Sequence, residues 1–145
     1  MPQHANDLGI AFGGTIMSWI DMVAAMVAQR HCGRKVVTVS IDRLSFLAPC
    51  HIGDHVLLRS SANYVGRTSM EVGVQVLKEC PYTGERVRAT TAYLTFVALD
   101  RREKPTPIPP IHPETPDELR RFENARLRVA ARKELLRRLT RGVSS

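Results

Sequence analysis

Gly13-Gly14-Thr15-Ile16-Met17-Ser18-Trp19-Ile20-Asp21-Met22-Val23-Ala24-Ala25-Met26-Val27-Ala28-Gln29-Arg30-His31-Cys32-Gly33 is the stretch from which the rest of the chain can be read. Between positions 16 and 28 only Ser18 and Asp21 are polar. The spacing predicts a helix over 14–30 that is apolar nearly all round, the pattern of a helix buried in the middle of a domain. Arg30 and His31 put positive charge at its C-terminal end, and Gly33 is suited to the left-handed conformation that closes a helix. Thirteen residues interrupted by a carboxylate are too few and too polar to span a bilayer.

Four strand-like segments follow. Residues 36–46 are rich in β-branched side chains, 55–64 come after a Gly53-Asp54 turn, and 68–79 alternate Met70, Val72, Val74 and Val76 with Glu71, Gly73 and Gln75. Residues 88–100 are rich in Thr, Val, Tyr and Phe. The connections are short and carry Gly or Pro, which favours antiparallel neighbours over helical crossovers. One buried helix and four such strands predict an α+β architecture, a curved antiparallel sheet wrapped around a long central helix.

Residues 1–12 read as a loop. After the strands, six of the nine prolines fall within 105–116, which reads as an extended linker leaving the domain. Thr115-Pro116-Asp117-Glu118 is a helix start, with a Thr cap, Pro in the first position and Glu placed to reach back. The organisation expected is therefore a domain over 1–104, a linker over 105–116 and a C-terminal basic helix over 117–141. That helix has only a thin apolar stripe (Leu119, Phe122, Val129, Leu136, Leu139), so it is expected to dock weakly or project.

The 145 residues suffice for one domain, and 43% hydrophobic with 24% charged residues is the balance of a globular protein. Three cysteines cannot all pair within one chain. With no basic leader ahead of the apolar run, the expectation is reduced thiols in a cytoplasm. The formal charge is +7, and residues 117–145 supply five of those charges through nine Lys/Arg against four acids. Basic charge of this kind suits a solvated helix face or a phosphate-bearing partner. Without an aromatic platform among the charges, nucleic acid is the weaker reading.

Asp21 is the most informative residue. A carboxylate within an apolar helix costs several kcal/mol in lost hydration unless it is paired or faces a cavity. It therefore either bridges to something inside the fold or serves a site, and no basic residue lies within one helical turn of it. Ahead of it, the Gly13 and Gly14 amides begin the helix, where they lack internal acceptors and sit at the positive dipole end. They can polarise a carbonyl oxygen or merely start a helix in a crowded place. Asn6, in the loop before them, can orient water or form a turn. Gly14 and Asp21 are seven residues apart, about two turns and on the order of 10 Å. Asp21 thus cannot easily reach a carbonyl held by its own chain's Gly14, and a working site would take Gly14 and Asn6 from one chain and Asp21 from a neighbour. Two other clusters are weaker. His31 and Cys32 point apart as adjacent helix positions, and His51, Asp54 and His55 straddle a turn with no evident fourth ligand.

The ordered motifs Met1-Pro2-Gln3-His4-Ala5-Asn6, Gly9, and Phe12 through Asp21 resemble the signature of the hotdog-fold acyl-coenzyme A thioester hydrolases. The resemblance continues through Val37 to Asp42, Phe46, Gly53-Asp54, Val65 to Val72 and Thr95 to Asp100, covering about residues 1–110. It implies a hotdog fold and dimers commonly assembled into hexamers as trimers of dimers. It also implies cleavage of acyl-CoA to fatty acid and CoA at a subunit interface, without cofactor or metal. Asp21 takes the family's catalytic carboxylate, Asn6 its asparagine and Gly14 its oxyanion amide. Further substrate contacts are expected from Gly13, from Arg67, Thr68 and Ser69, and from Arg101, Arg102 and Lys104 as phosphate partners. Two alternatives follow from related hotdog proteins: an acyl-CoA-binding transcriptional regulator without turnover, and an acyl-thioester hydratase or dehydratase. The second needs a histidine or paired acids facing the acyl carbons, and no histidine precedes His31 on the helix.

Overall fold

A computed structural model describes residues 13–51 and 53–144. Helix α1 (Gly13–Cys32) precedes strands β1 (Lys35–Phe46), β2 (His55–Val65), β3 (Ser69–Glu79) and β4 (Arg86–Leu99), and helix α2 (Pro116–Ser144) follows. The strands form one antiparallel sheet in the order β1-β4-β3-β2. Alternation decides which face of β3 and β4 meets α1. Met70, Val72, Val74, Val76, Ala92, Leu94, Phe96 and Ala98 turn inward, against Ile16, Ile20, Ala24 and Ala28. The alanines at every fourth position let the helix approach the sheet closely. Register shifts in β1, β2 and between β3 and β4 mark irregularities that help the sheet curve. Gly33 takes φ +64° and its amide donates to the Gln29 carbonyl at 2.8 Å, closing α1 as its sequence position requires.

One expectation changes. Among the described residues helix α1 is covered on one side only, leaving Met22 and Met26 58% and 63% exposed. Of the two alternatives for α2, docking and projecting, the structure takes docking. Helix α2 lies across the outer face of the sheet with Ala125 fully buried and Phe122 against Tyr64, ring centroids 5.3 Å apart. Its anchor is ionic more than apolar, which the thin stripe of leucines could not reveal. Arg128 forks onto Glu71 of β3 at 3.0 and 2.9 Å and stacks 3.6 Å over the Tyr93 ring. Arg132 Nη1 donates to Asp42 of β1 at 2.9 Å and to Thr95 of β4 at 2.6 Å.

The proline-rich segment is extended, but its first part stays on the body. The Thr106 amide donates to Ala98 O, the Ile108 amide to Arg67 O, and Ile108 is buried. At the start of α2 the Glu118 amide donates to Thr115 Oγ1 as a cap should, while the Glu118 carboxylate accepts from the Glu114 amide. No helix among the described residues is long and apolar enough to cross a membrane.

Candidate active site

Asp21 sits midway along α1, half-buried at the border between the covered and uncovered sides of the helix. Its Oδ1 accepts a hydrogen bond from Thr38 Oγ1 at 2.8 Å. Thr38 belongs to β1, the edge strand, and faces α1 because of the strand's alternation. The hydroxyl fixes the carboxylate's rotamer, and among the described residues no cation pairs with Asp21. Thr38 was not singled out from the sequence, where it reads as one more β-branched residue in a strand; only its packing against α1 reveals the contact.

Gly13 and Gly14 form the first turn of α1, and Gly14 is exposed. No acid occupies that turn, so the positive end of the helix dipole is left uncompensated from within the helix. Gly14 remains two turns from Asp21 along the same helix, as the spacing requires. Asn6 lies outside the described residues.

The other expected contacts gather at the opposite end of α1. Arg67 is exposed and Thr68 half-buried in the β2–β3 turn, and Ser69, also half-buried, begins β3. Arg101, Arg102 and Lys104 are exposed in the turn after β4. Asp100 Oδ1 shapes that turn by accepting from the Arg102 and Lys104 amides at 2.8 and 3.0 Å, and Glu103 pairs with Lys35 at 2.8 Å. Main-chain bonds join the two segments, since the Ala98 amide donates to Thr68 O and the Ile108 amide to Arg67 O. Beside them, Cys32, Arg34, Lys35, Asp100 and Arg101 line an open cleft of about 580 Å³. Lys35 is three residues from Thr38 along β1, about 10 Å. Within one chain, then, Asp21 stands between the Gly14 amides at one end of α1 and the basic cluster at the other, in contact with neither among the described residues.

The weaker clusters resolve structurally. His31 Nε2 donates to Pro109 O at 2.7 Å, while the buried Cys32 thiol contacts Met70 Sδ at 3.6 Å, and burial pushes that thiol's pKa up. They do not form a nucleophile pair. Asp54 accepts from the His51 amide within its turn, and His55 faces Glu79 at 3.8 Å. Among the described residues no three metal-ligating side chains converge.

Residues 8–85 match the thioesterase superfamily model. The chain is 46% identical over 132 residues to the uncharacterized acyl-CoA thioester hydrolase YkhA of Bacillus subtilis, covering 91% of this chain and 77% of that protein. Its structure is similar to that of an acyl-CoA hydrolase from Staphylococcus aureus solved with butyryl coenzyme A, coenzyme A and coenzyme A disulfide. For that structure the TM-score is 0.91 and the identity 37%, over 99% of this chain and 88% of that one. It is similar also to an apo-hexameric acyl-CoA thioesterase, with TM-score 0.90 and 40% identity over 94% and 87% of the two chains. Alanine variants of the S. aureus enzyme have been solved at an asparagine, an aspartate and a threonine. Those three residues stand fifteen and seventeen positions apart, the spacing of Asn6, Asp21 and Thr38 in this chain. From fold, sequence and family match together, the chain belongs to the hotdog-fold acyl-CoA thioester hydrolases of the thioesterase superfamily.

Proposed function

We propose that the protein hydrolyses acyl-CoA to free fatty acid and coenzyme A at an interface between two copies of the chain. The observation that carries this reading is the Asp21 carboxylate, oriented by Thr38 at 2.8 Å and placed beside an apolar helix face that the described residues leave uncovered. A second chain related by a two-fold axis would run its α1 antiparallel to the first and bring its Gly14 amide alongside Asp21. The amide polarises the thioester carbonyl and stabilises the oxyanion. Asp21 acts through its Oδ2, either drawing a proton from the attacking water or attacking the carbonyl carbon to form a mixed anhydride that water then opens. By either route the C–S bond breaks and the thiolate leaves to be protonated as coenzyme A. Asn6 orients the water or the carbonyl. Arg67, Thr68 and Ser69 border the pantetheine path, and Arg101, Arg102 and Lys104 supply cations for the nucleotide phosphates. The similar structure named as hexameric supports assembly beyond the dimer.

The test is thiol release across acyl chain lengths by wild type and Asp21→Ala. The variant is expected to lose turnover by at least about 10³-fold while coenzyme A still binds. Wild-type turnover by Asp21→Ala defeats the mechanism, and acyl-CoA binding without thiol release by the wild-type protein turns the reading toward a regulator.

A further inference from the structure

We propose that Arg132 of α2 is a positioning residue for the Asp21 site: it holds β1 in a doubly bulged register and so keeps Thr38 aimed at the carboxylate. The inference rests on the assignment of Asp21 to hydrolysis. It starts from the irregular course of β1. Between Thr38 and Ser40 the strand advances two residues while β4 advances one, from Phe96 to Thr95. Between Asp42 and Ser45 it again uses one residue more than β4, which goes from Tyr93 to Thr91. Each place is a bulge, and in the second Arg43 takes φ +52°, a conformation few side chains adopt.

The two bulges decide which way β1 faces. In an unbroken strand positions two apart share a side, so Val36, Thr38, Ser40, Asp42 and Leu44 would all meet α1. Val36 and Leu44 do pack on the core, and Thr38 donates to Asp21. Ser40 and Asp42 lie between the bulges and turn instead to the outer face, opposite Thr95 and Tyr93. There Arg132 Nη1 donates to Ser40 Oγ at 3.1 Å, Asp42 Oδ2 at 2.9 Å and Thr95 Oγ1 at 2.6 Å. Only the bulged register presents those three oxygens to one nitrogen.

Among the described residues β1 is an edge strand, so a ladder on one side alone resists slippage. Without the clamp the first bulge is free to slide toward Arg43. That turns Ser40 inward and straightens the backbone beside Thr38, whose aim the bulge sets. The Thr38–Asp21 bond at 2.8 Å has little slack to absorb the change. The clamp itself adds little to stability, because the Arg132 and Asp42 side chains are 26% and 39% exposed and pairs open to water are weak. Thr95 is buried, so its hydroxyl is a fixed mark against which the register is held. Arg128, one turn before Arg132 on the same face of α2, anchors the helix from which the clamp reaches.

Steady-state thiol release is measured for the full-length wild type, Thr38→Ala, Arg132→Ala, the near-isosteric Thr95→Val and the double variant Thr38→Ala/Arg132→Ala. Amide hydrogen exchange of the same proteins is followed alongside. Arg132→Ala is expected to lower kcat about tenfold with KM unchanged, and Thr95→Val to lower it in the same direction. The double variant is expected to be no slower than Thr38→Ala, since both changes act through one hydroxyl. Exchange should quicken over residues 38–42 while β2 and β3 keep their protection. Unchanged kcat in both single variants overturns the proposal, as do losses that multiply in the double variant or β1 amides as protected as in wild type. Thr95→Val keeps the test decisive where Arg132→Ala fails to fold. Absent thiol release by the wild type defeats the Asp21 reading instead, and exchange alone then decides the register.

Discussion

Thr38 and Asp21 are joined by a hydrogen bond, and in the proposed reaction Thr38 would contribute geometry and not charge. A hydroxyl 2.8 Å from a carboxylate oxygen sets where the acid's other oxygen points, and misplacement by about 1 Å costs catalysis on the order of 100-fold. Thr38→Ala is expected to lower kcat by about 10- to 100-fold with KM little changed, and Thr38→Ser to restore most of it. A KM effect without a kcat effect would contradict the positioning role. The cysteines make a second prediction at this scale. Burial raises the thiol pKa of Cys32 and of Cys50, where Asp54 adds to the effect, whereas hydrogen bonds from Thr83 and the backbone lower that of Cys80. Thiolate is the reactive form. Titration of the native protein with a thiol reagent near pH 8 should therefore modify Cys80 first, with Cys32 and Cys50 reacting only on unfolding. Equal rates for all three would refute this.

Helix α2 shows how an element with little apolar surface is held. Its second half exposes Leu135, Leu136 and Leu139, and its position is set by two arginines reaching into the outer sheet face. Burial disfavours the charge on Arg128, but the hydrogen bonds and charge of Glu71 outweigh it, so the guanidinium pKa rises. Glu71 and Arg128 side chains are 5% and 16% exposed. Removing one partner of such a pair leaves the other buried without compensation, at a cost of about 3–5 kcal/mol. Glu71→Ala should lower the free energy of chemical denaturation by that order and speed amide exchange in α2 before it does so in α1. A change below about 1 kcal/mol, the range of exposed pairs, would show that the helix is held by something else. Four other cations of α2 pair along its own surface, Arg120 with Asp117, Arg126 with Glu123, and Arg137 and Arg138 with Glu134, yet nine Lys/Arg against four acids leave the tail basic.

At the scale of the whole molecule, the described residues leave an apolar surface uncovered. Edge strand β1 exposes Val37, Val39 and Ile41, with Val39 at 55%, and the adjoining face of α1 exposes its methionines. An apolar edge strand beside an apolar helix face is a surface made for a second chain. Val39→Asp is expected to give a folded monomer by sedimentation, with native-like circular dichroism and thiol release at background, because Asp21 and the Gly14 amide would no longer meet. A monomeric variant with wild-type turnover would place the whole site within one chain.

Periodicity determined the elements, because apolar residues at helical spacing or in alternation with polar ones leave one way to bury them. That is why helix α1, all four strands and the capped start of α2 were legible to within two or three residues. Asp21 was legible too, since a carboxylate in an apolar helix is conspicuous in any sequence. Two things lay beyond that reach: the Thr38 contact and the Glu71–Arg128 anchor. They join residues 17 and 57 positions apart, brought together by strand register and helix docking, and no local pattern records those. The uncovered face of α1 has the same origin. A sequence declares that a surface must be buried, whereas only the packed chain shows that its described residues leave it uncovered.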